Sequence, residues 1–356
     1  MTSLPTVARV STPGKLILMG EHAAVYGAPA LTTAVGLRLG TRIERTERAS
    51  IRLDLLAIDH HEILDAAAIA AYADTQRAAW EAYAADPGTE TFAQLEDGQP
   101  ARLARVALAE CADVLGDLTG LHLSVTSDLP LGAGFGSSAA AAVGIVSAGL
   151  ALAGAEARWS DVGPRVAEVE RRQHGSPSGI DAATVFHGGV LSATRDGEDL
   201  DSEPLPVRAD LLRQFRIVNT GAPAESTGEV VAAVAARRAE STVAFDAILG
   251  TMGDTTRRFR ELISSERTTA EDLMASVRTY ERCLEEIGVV PGPVANLVRD
   301  IERRGGAAKI SGAGSLSGNT AGCLLVILPD DAELPDGLDE IQARLAAEGV
   351  RVEKVE

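Results

Sequence analysis

Aromatic side chains are scarce in this 356-residue chain, at 3% of the total. Its cores must therefore be built from aliphatic side chains and from close backbone approach through abundant Ala and Gly. Cysteine is scarcer still: Cys111, Cys283 and Cys323 are odd in number and far apart. That excludes a disulfide framework and a paired-cysteine zinc site, and makes a reducing, cytoplasmic setting the default. No stretch is apolar and uncharged for long enough to span a bilayer, and residues 1–12 carry no secretory pattern. Basic charge is also in short supply, with 33 Lys and Arg against 51 Asp and Glu and a net charge of −18. Such a balance argues against nucleic acid or an anionic membrane as partner. It leaves room for an anionic small ligand, because dipoles and a few cations dominate inside a cleft. A homodimer is left open.

What the chain does have is a glycine loop, Asp128-Leu129-Pro130-Leu131-Gly132-Ala133-Gly134-Phe135-Gly136-Ser137-Ser138, followed by an alanine run. Glycine tolerates positive φ and close backbone approach. Ser is a good N-cap and Ala the best helix former. The stretch predicts a tight loop entering a helix N-terminus, where free N–H groups and the helix dipole favour a phosphate. The helix that follows, 138–152, carries almost no charge and is expected to be buried.

The rest of the chain organises around that loop. The length suits two domains, expected at 1–204 and 205–356, with the acidic run 196–203 as a surface loop near the boundary. In the first half, strands are expected at 7–10, 16–19, 31–45, 51–56 and 121–125, with Pro13-Gly14 as a turn between the first two. Helices are expected at 66–85, 101–115 and 160–173, the last with Pro164 in its opening turn. Asp59-His60-His61-Glu62 looks metal-like, but adjacent histidines point apart, so it reads as an exposed polar turn. Residues 174–181 form a compact loop presenting Asp181, and 182–186 and 188–192 read as strands. The second half reads as helices at 226–238, 243–264, 269–287 and 294–304. Thr268 and Glu271 have capping-box spacing. Strands at 307–310 and 323–328 bracket a second glycine loop, 311–322. A helix near 338–347 and a strand at 350–355 close the chain. Strands with helices against them give an α+β fold.

Lys15 sits at the mouth of the 16–19 strand and Glu21-His22 at its far end. Glu170 precedes Asp181 by eleven positions. Together with a phosphate loop, these are the parts that phosphoryl transfer needs: backbone donors, a carboxylate or hydroxyl for Mg²⁺, a cation and a base. There is no Walker sequence and no dinucleotide fingerprint.

At these residues the chain resembles the GHMP kinase superfamily. Its three motifs occur in order at Pro13 to Gly27, Pro130 to Ala140 and Lys309 to Cys323. Within the superfamily, Pro13-Gly14-Lys15, Gly20-Glu21-His22-Ala23-Ala24-Val25-Tyr26-Gly27 and His174-Gly175-x-Pro177-Ser178-Gly179-Ile180-Asp181 are most similar to the mevalonate kinase family. The resemblance implies a ribosomal-S5-like N-terminal domain and a ferredoxin-like C-terminal domain. It implies ATP as phosphoryl donor, Mg²⁺ as metal and mevalonate as acceptor. By the same resemblance, Asp181 is the base for the acceptor hydroxyl, and Lys15 holds it ionised and steadies the transferring group. Pro130, Gly132, Ala133, Gly134, Phe135, Gly136, Ser137 and Ser138 wrap the ATP phosphates. Glu170, with either Ser137 or Ser138, binds Mg²⁺. Glu21 and His22, with Lys15 and Asp181, line the acceptor pocket. Two departures bear on substrate and phosphate contacts: the third motif is lengthened by the polar run 315–321, and Gly228 follows Ser226-Thr227 where a basic residue is usual.

Overall fold

The computed structural model describes residues 5–175, 177–196 and 199–356. The first half runs β1 (Val7–Met19), β2 (Ala30–Arg45), β3 (Ile51–Leu55), β4 (His60–Leu64), α1 (Ala66–Ala85), α2 (Thr89–Leu95), α3 (Arg102–Ala109), α4 (Ala112–Leu115), β5 (Leu121–Ser127), α5 (Ser137–Leu152), α6 (Trp159–His174), α7 (Ile180–His187), β6 (Val190–Asp196) and β7 (Asp199–Pro204). The second half runs α8 (Ala209–Leu212), β8 (Phe215–Asn219), α9 (Thr227–Glu240), α10 (Thr242–Ser264), α11 (Ala270–Glu286), α12 (Gly292–Arg303), β9 (Ala307–Ser311), β10 (Cys323–Ile327), β11 (Asp339–Ile341) and β12 (Arg351–Val355).

These elements make a mixed α+β fold with two sheets. The larger follows the order β12-β1-β2-β5-β3-β4, with β6 and β7 branching from β2. The smaller is antiparallel in the order β11-β8-β10-β9. The last strand thus leaves the C-terminal half and pairs antiparallel with β1. Helix α5 lies across β1 and β2 and is buried at every residue from Ala142 to Leu152. Its glycines explain how it comes so close. A Cβ on Gly144 would sit 2.6 Å from the Thr41 hydroxyl, and one on Gly149 would sit 2.8 Å from Cys111 Sγ. Small residues here replace the aromatics that the chain lacks. No helix among the described residues is long and apolar enough to cross a membrane.

Several local expectations give way to tertiary structure. Residues 7–10 and 16–19 belong to one strand that runs straight through Pro13-Gly14 rather than turning; the irregularity lies opposite, in β2, where the register passes from Arg38 to Val35 and leaves Gly36 and Leu37 unpaired with β1. The expected strand at 182–186 is helix α7, started by Gly179 in the left-handed region (φ 74°). The described residues of the acidic run 196–203 lie in strands rather than in a loop: Asp196 ends β6, and 199–203 belong to β7, paired with it. The expected helix near 338–347 is absent; β11 occupies 339–341, pairing with β8, and Leu345 then bridges to Val35 of β2. Pro164 lies inside α6 rather than in its first turn. The stretch 101–115 is split into α3 and α4 at Glu110-Cys111. The capping box of α11 is Thr269 with Asp272, one residue on from Thr268 and Glu271.

Candidate active site

Lys15 lies on β1 just past the register shift against β2, and its backbone N–H donates to Phe135 O in the glycine loop (2.9 Å). Gly14 leaves room for that approach: a Cβ there would lie 3.2 Å from Phe135 O and 2.6 Å from Leu129 Cδ2. The loop itself places Gly132, Gly134 and Gly136 in the left-handed region, at φ 71°, 86° and 68°. Gly136, not a serine, is the N-cap of α5. Ser137 and Ser138 therefore occupy the first turn, where helix geometry leaves N–H groups without intrahelical acceptors. The Lys15 stem runs over Gly136 so closely that a Cβ would lie 2.6 Å from Lys15 Cγ.

Lys15 Nζ stands 3.0 Å from Asp181 Oδ2. Asp181 is in the first turn of α7, held there by the left-handed Gly179 cap. The Lys15 side chain is buried at 7% exposure while that of Asp181 is 36% exposed, so the pair meets solvent through its carboxylate. Behind it, Glu170 on α6 is buried. Burial first, and the Asp181 charge second, push its carboxyl up to about 8, against the opposing pull of Lys15. His174 closes the α6 end of this group. Its Nε2 lies 3.1 Å from Ser138 Oγ, and burial pulls its pKa down, Asp181 acting in the other direction. The structure thus brings together Lys15, Asp181, Glu170, the glycine loop and the two serines, residues far apart in the chain.

Glu21 and His22 lie at the other end of β1 and are both buried. Glu21 pairs with Lys309 from β9, and His22 Nε2 donates to Ala313 O (2.9 Å). His22 has a positive φ of 58°, uncommon for a non-glycine residue. Burial raises the Glu21 carboxyl, with Lys309 opposing.

The third motif meets the glycine loop from the second sheet. A Cβ on Gly134 would lie 3.3 Å from Ser311 O, and one on Gly322 3.3 Å from Ala133 O. Its long polar insertion is folded onto one carboxylate. Glu225 accepts from Ser315 Oγ (2.5 Å), Ser317 Oγ (2.5 Å) and Leu316 N (2.9 Å). Those donors hold Glu225 down to about 2. The loop survives its lengthening because a residue outside the motif anchors it.

Sequence reasoning gave no role to His174, Lys309, Tyr280 or Glu225. The first two stand inside quoted motifs, and that was the available signal; the other two are visible only through tertiary contact. Conversely, Asp59-His60-His61-Glu62 is not an isolated polar turn, since His60–Glu62 lie in β4. His61 Nδ1 donates to Asp54 (2.8 Å), His122 Nε2 to the other Asp54 oxygen (2.6 Å), and Arg105 grips Glu62. Among the described residues no cluster of three or more His, Cys, Asp or Glu is arranged to hold a metal.

This geometry, two sheets meeting over a helix-capping glycine loop and a Lys–Asp pair, is that of a small-molecule kinase. Residues 102–189 match the family model described as GHMP kinases N terminal domain. Over the whole chain the likeness is to GHMP kinases. Within that family it is similar to mevalonate kinases over nearly its whole length. The mevalonate kinase of Pyrococcus abyssi is 27% identical, the match covering 99% of each chain. That of Thermococcus gammatolerans is 29% identical, covering 97% of this chain and 98% of the relative. The solved Methanococcus jannaschii mevalonate kinase superposes with a TM-score of 0.73 at 20% identity, over 95% of this chain and 98% of that one, which shows a shared fold.

Proposed function

We propose that this chain transfers the terminal phosphoryl group of ATP to the 5-hydroxyl of mevalonate, giving 5-phosphomevalonate. The observation that carries this reading is the Lys15–Asp181 pair, 3.0 Å apart beside the N-terminus of α5. A base and a cation next to a phosphate cradle are what in-line transfer to an alcohol requires. The full-length similarity to mevalonate kinases supports mevalonate as the alcohol.

In this reading Asp181 accepts the proton of the primary hydroxyl at a carboxylate oxygen while the alcohol oxygen attacks the terminal phosphorus; the bond from that phosphorus to the bridging oxygen breaks and ADP leaves. Lys15 orients Asp181 and offsets the charge that develops on the transferring group. The backbone of 130–138 and the first turn of α5 hold the ATP phosphates, with the positive end of the helix dipole towards them. Glu170, with the hydroxyl of Ser137 or Ser138, would hold Mg²⁺ through oxygen donors of the kind that ion takes. A buried carboxyl raised to about 8 beside a second carboxylate is a group that a divalent cation would satisfy. Mg²⁺, when bound, supplies charge neutralisation of the phosphates. The Glu21–His22 segment borders the acceptor pocket, with the Glu21 carboxylate buried behind it against Lys309. We take two domains to meet at this site; the expected division at 204/205 needs one change, since β12 returns to the sheet of the first half and belongs with it.

The test is ADP release with mevalonate, phosphomevalonate, homoserine and galactose, with NMR of the product to locate the phosphate. The expected result is turnover with mevalonate and a phosphate on its C5 oxygen. Turnover confined to another alcohol, or a phosphate on the 3-hydroxyl, would overturn the assignment of substrate.

A further inference from the structure

The segment Gly20-Glu21-His22 is bent in a way that its own sequence does not favour. Gly20 lies at φ 113°, where a Cβ would sit 2.5 Å from Ala30 Cα. His22 lies at φ 58° with a side chain present. Backbone of this kind persists only where the surroundings over-determine it. Here the surroundings come from the other half of the chain. The Tyr280 hydroxyl of α11 accepts from Gly20 N–H (3.0 Å) and donates to Glu21 O (2.9 Å), gripping the bend from both sides. Lys309 of β9 pairs with the Glu21 carboxylate. It also donates to Ile310 O (2.6 Å). Ala313 O receives His22 Nε2–H (2.9 Å). Both members of the Lys309–Glu21 pair are sealed from solvent, with side-chain exposures of 0% and 1%. Nothing in the phosphoryl-transfer scheme above uses Lys309 or Tyr280.

We infer that Lys309 and Tyr280 are positioning residues, which set the shape of the acceptor wall from the C-terminal half while leaving the phosphate cradle alone. The inference rests on the reading that the Glu21–His22 segment borders the acceptor pocket. It follows that acceptor recognition depends on the docking of the second sheet, whereas the glycine loop and the Lys15–Asp181 pair are built from the first half.

Steady-state kinetics separates this from a merely structural role. Tyr280→Phe keeps the ring and removes only the hydroxyl. It should raise KM for mevalonate about tenfold, the change a lost buried hydrogen bond carries, with KM for ATP and kcat close to wild type. Lys309→Met should raise it further. Because that change strands a buried carboxylate, it is paired with Lys309→Met/Glu21→Gln, which removes both charges. If Lys309 acts through Glu21, adding Lys309→Met to Glu21→Gln changes acceptor KM by less than about twofold, a non-additive cycle. A readout free of substrate is the imidazole ¹⁵N–¹H spectrum of His22, assigned with His22→Gln, whose Nε2–H signal should shift in both single variants. An unchanged acceptor KM with an unchanged His22 signal overturns the inference. So does a parallel loss of kcat and of both KM values with additive effects, which marks a general scaffold. If wild type fails to turn over mevalonate, the substrate assignment alone fails, and the His22 spectrum decides the positioning.

Discussion

Asp181 and Lys15 carry opposite charges on elements that share no local sequence, and the fold places them 3.0 Å apart. Replacing either should leave the scaffold intact, because the pair opens to solvent through Asp181. Asp181→Asn and Lys15→Met are each expected to lower kcat by at least about 10²–10³-fold, the range for losing one preorganised electrostatic contact. Near-normal kcat with an unchanged melting temperature would remove both from the chemistry. Glu281 makes a different prediction. It is buried on α11, accepts from Ile310 N (3.0 Å) and is pushed up to about 8, by burial above all. Its folded pKa lies above the ordinary value of 4.5. The native state thus holds a proton that the unfolded chain gives up, and stability is lost as pH rises through that interval. The melting temperature should fall between pH 5 and pH 8, and Glu281→Gln should make that slope shallower. An unchanged slope would mean that Glu281 does not titrate differently in the two states. That Lys15, Asp181 and Glu170 come together was legible because each stands in a spaced motif. Tyr280 and Glu225 were not, because their partners come from distant segments and neither pairing leaves a local pattern.

At the scale of elements, the glycine loop offers a controlled comparison. Gly136 and Gly98 share nearly the same left-handed φ, 68° and 71°. A methyl group at Gly98 meets nothing within 4 Å, while one at Gly136 runs into the Lys15 side chain. Alanine at either position bears a backbone cost of roughly 1–2 kcal/mol. Only Gly136→Ala should also displace Lys15, lowering kcat more than about tenfold beyond the Gly98→Ala control. Equal activity in the two variants would show that Lys15 accommodates the methyl group. The same scale shows where sequence pattern misleads. Helix α1 occupies its expected range, 66–85, since an alanine-rich stretch capped by Asp65 and broken at Asp86-Pro87 needs no tertiary help. Residues 338–347 have apolar side chains at helical spacing, yet pairing with β8 and a bridge to Val35 override it, with Ala346 at φ 54°. Residues 182–186 are short and apolar enough for either state, and the Gly179 cap decides in favour of helix.

For the whole molecule, the α+β class was readable, because it follows from the order of elements; the meeting of the two glycine loops was not, because it is a contact between sheets with no local pattern. Nor was the path of the last strand. Residues 350–355 read as a strand, but strand pairing over such a separation leaves no periodicity to detect. β12 covers the outer edge of β1, and Arg38 ties the approach to it by donating to Glu348 O and Gly349 O (2.9 and 2.8 Å). A fragment of residues 1–204 would expose that edge, a template for intermolecular pairing. It should aggregate on expression, and the same fragment with 351–356 joined ahead of Val7 through a short hairpin loop should be monomeric. Sedimentation distinguishes the two, and a monodisperse unmodified fragment would show that β1 does not need its cover.

Thr6 N–H donates to Glu356 O (2.5 Å), so the two ends of the described chain meet at one seam. Everything between β1 and β12 is in effect a long excursion from a single hairpin. On the ribosome, β8 to β11 emerge together and have all their partners before β12 exists. The N-terminal sheet, translated first, is the one that finishes last. During synthesis its open edge is the surface a chaperone would have to guard, and conditions that slow translation near residue 350 would prolong that exposure.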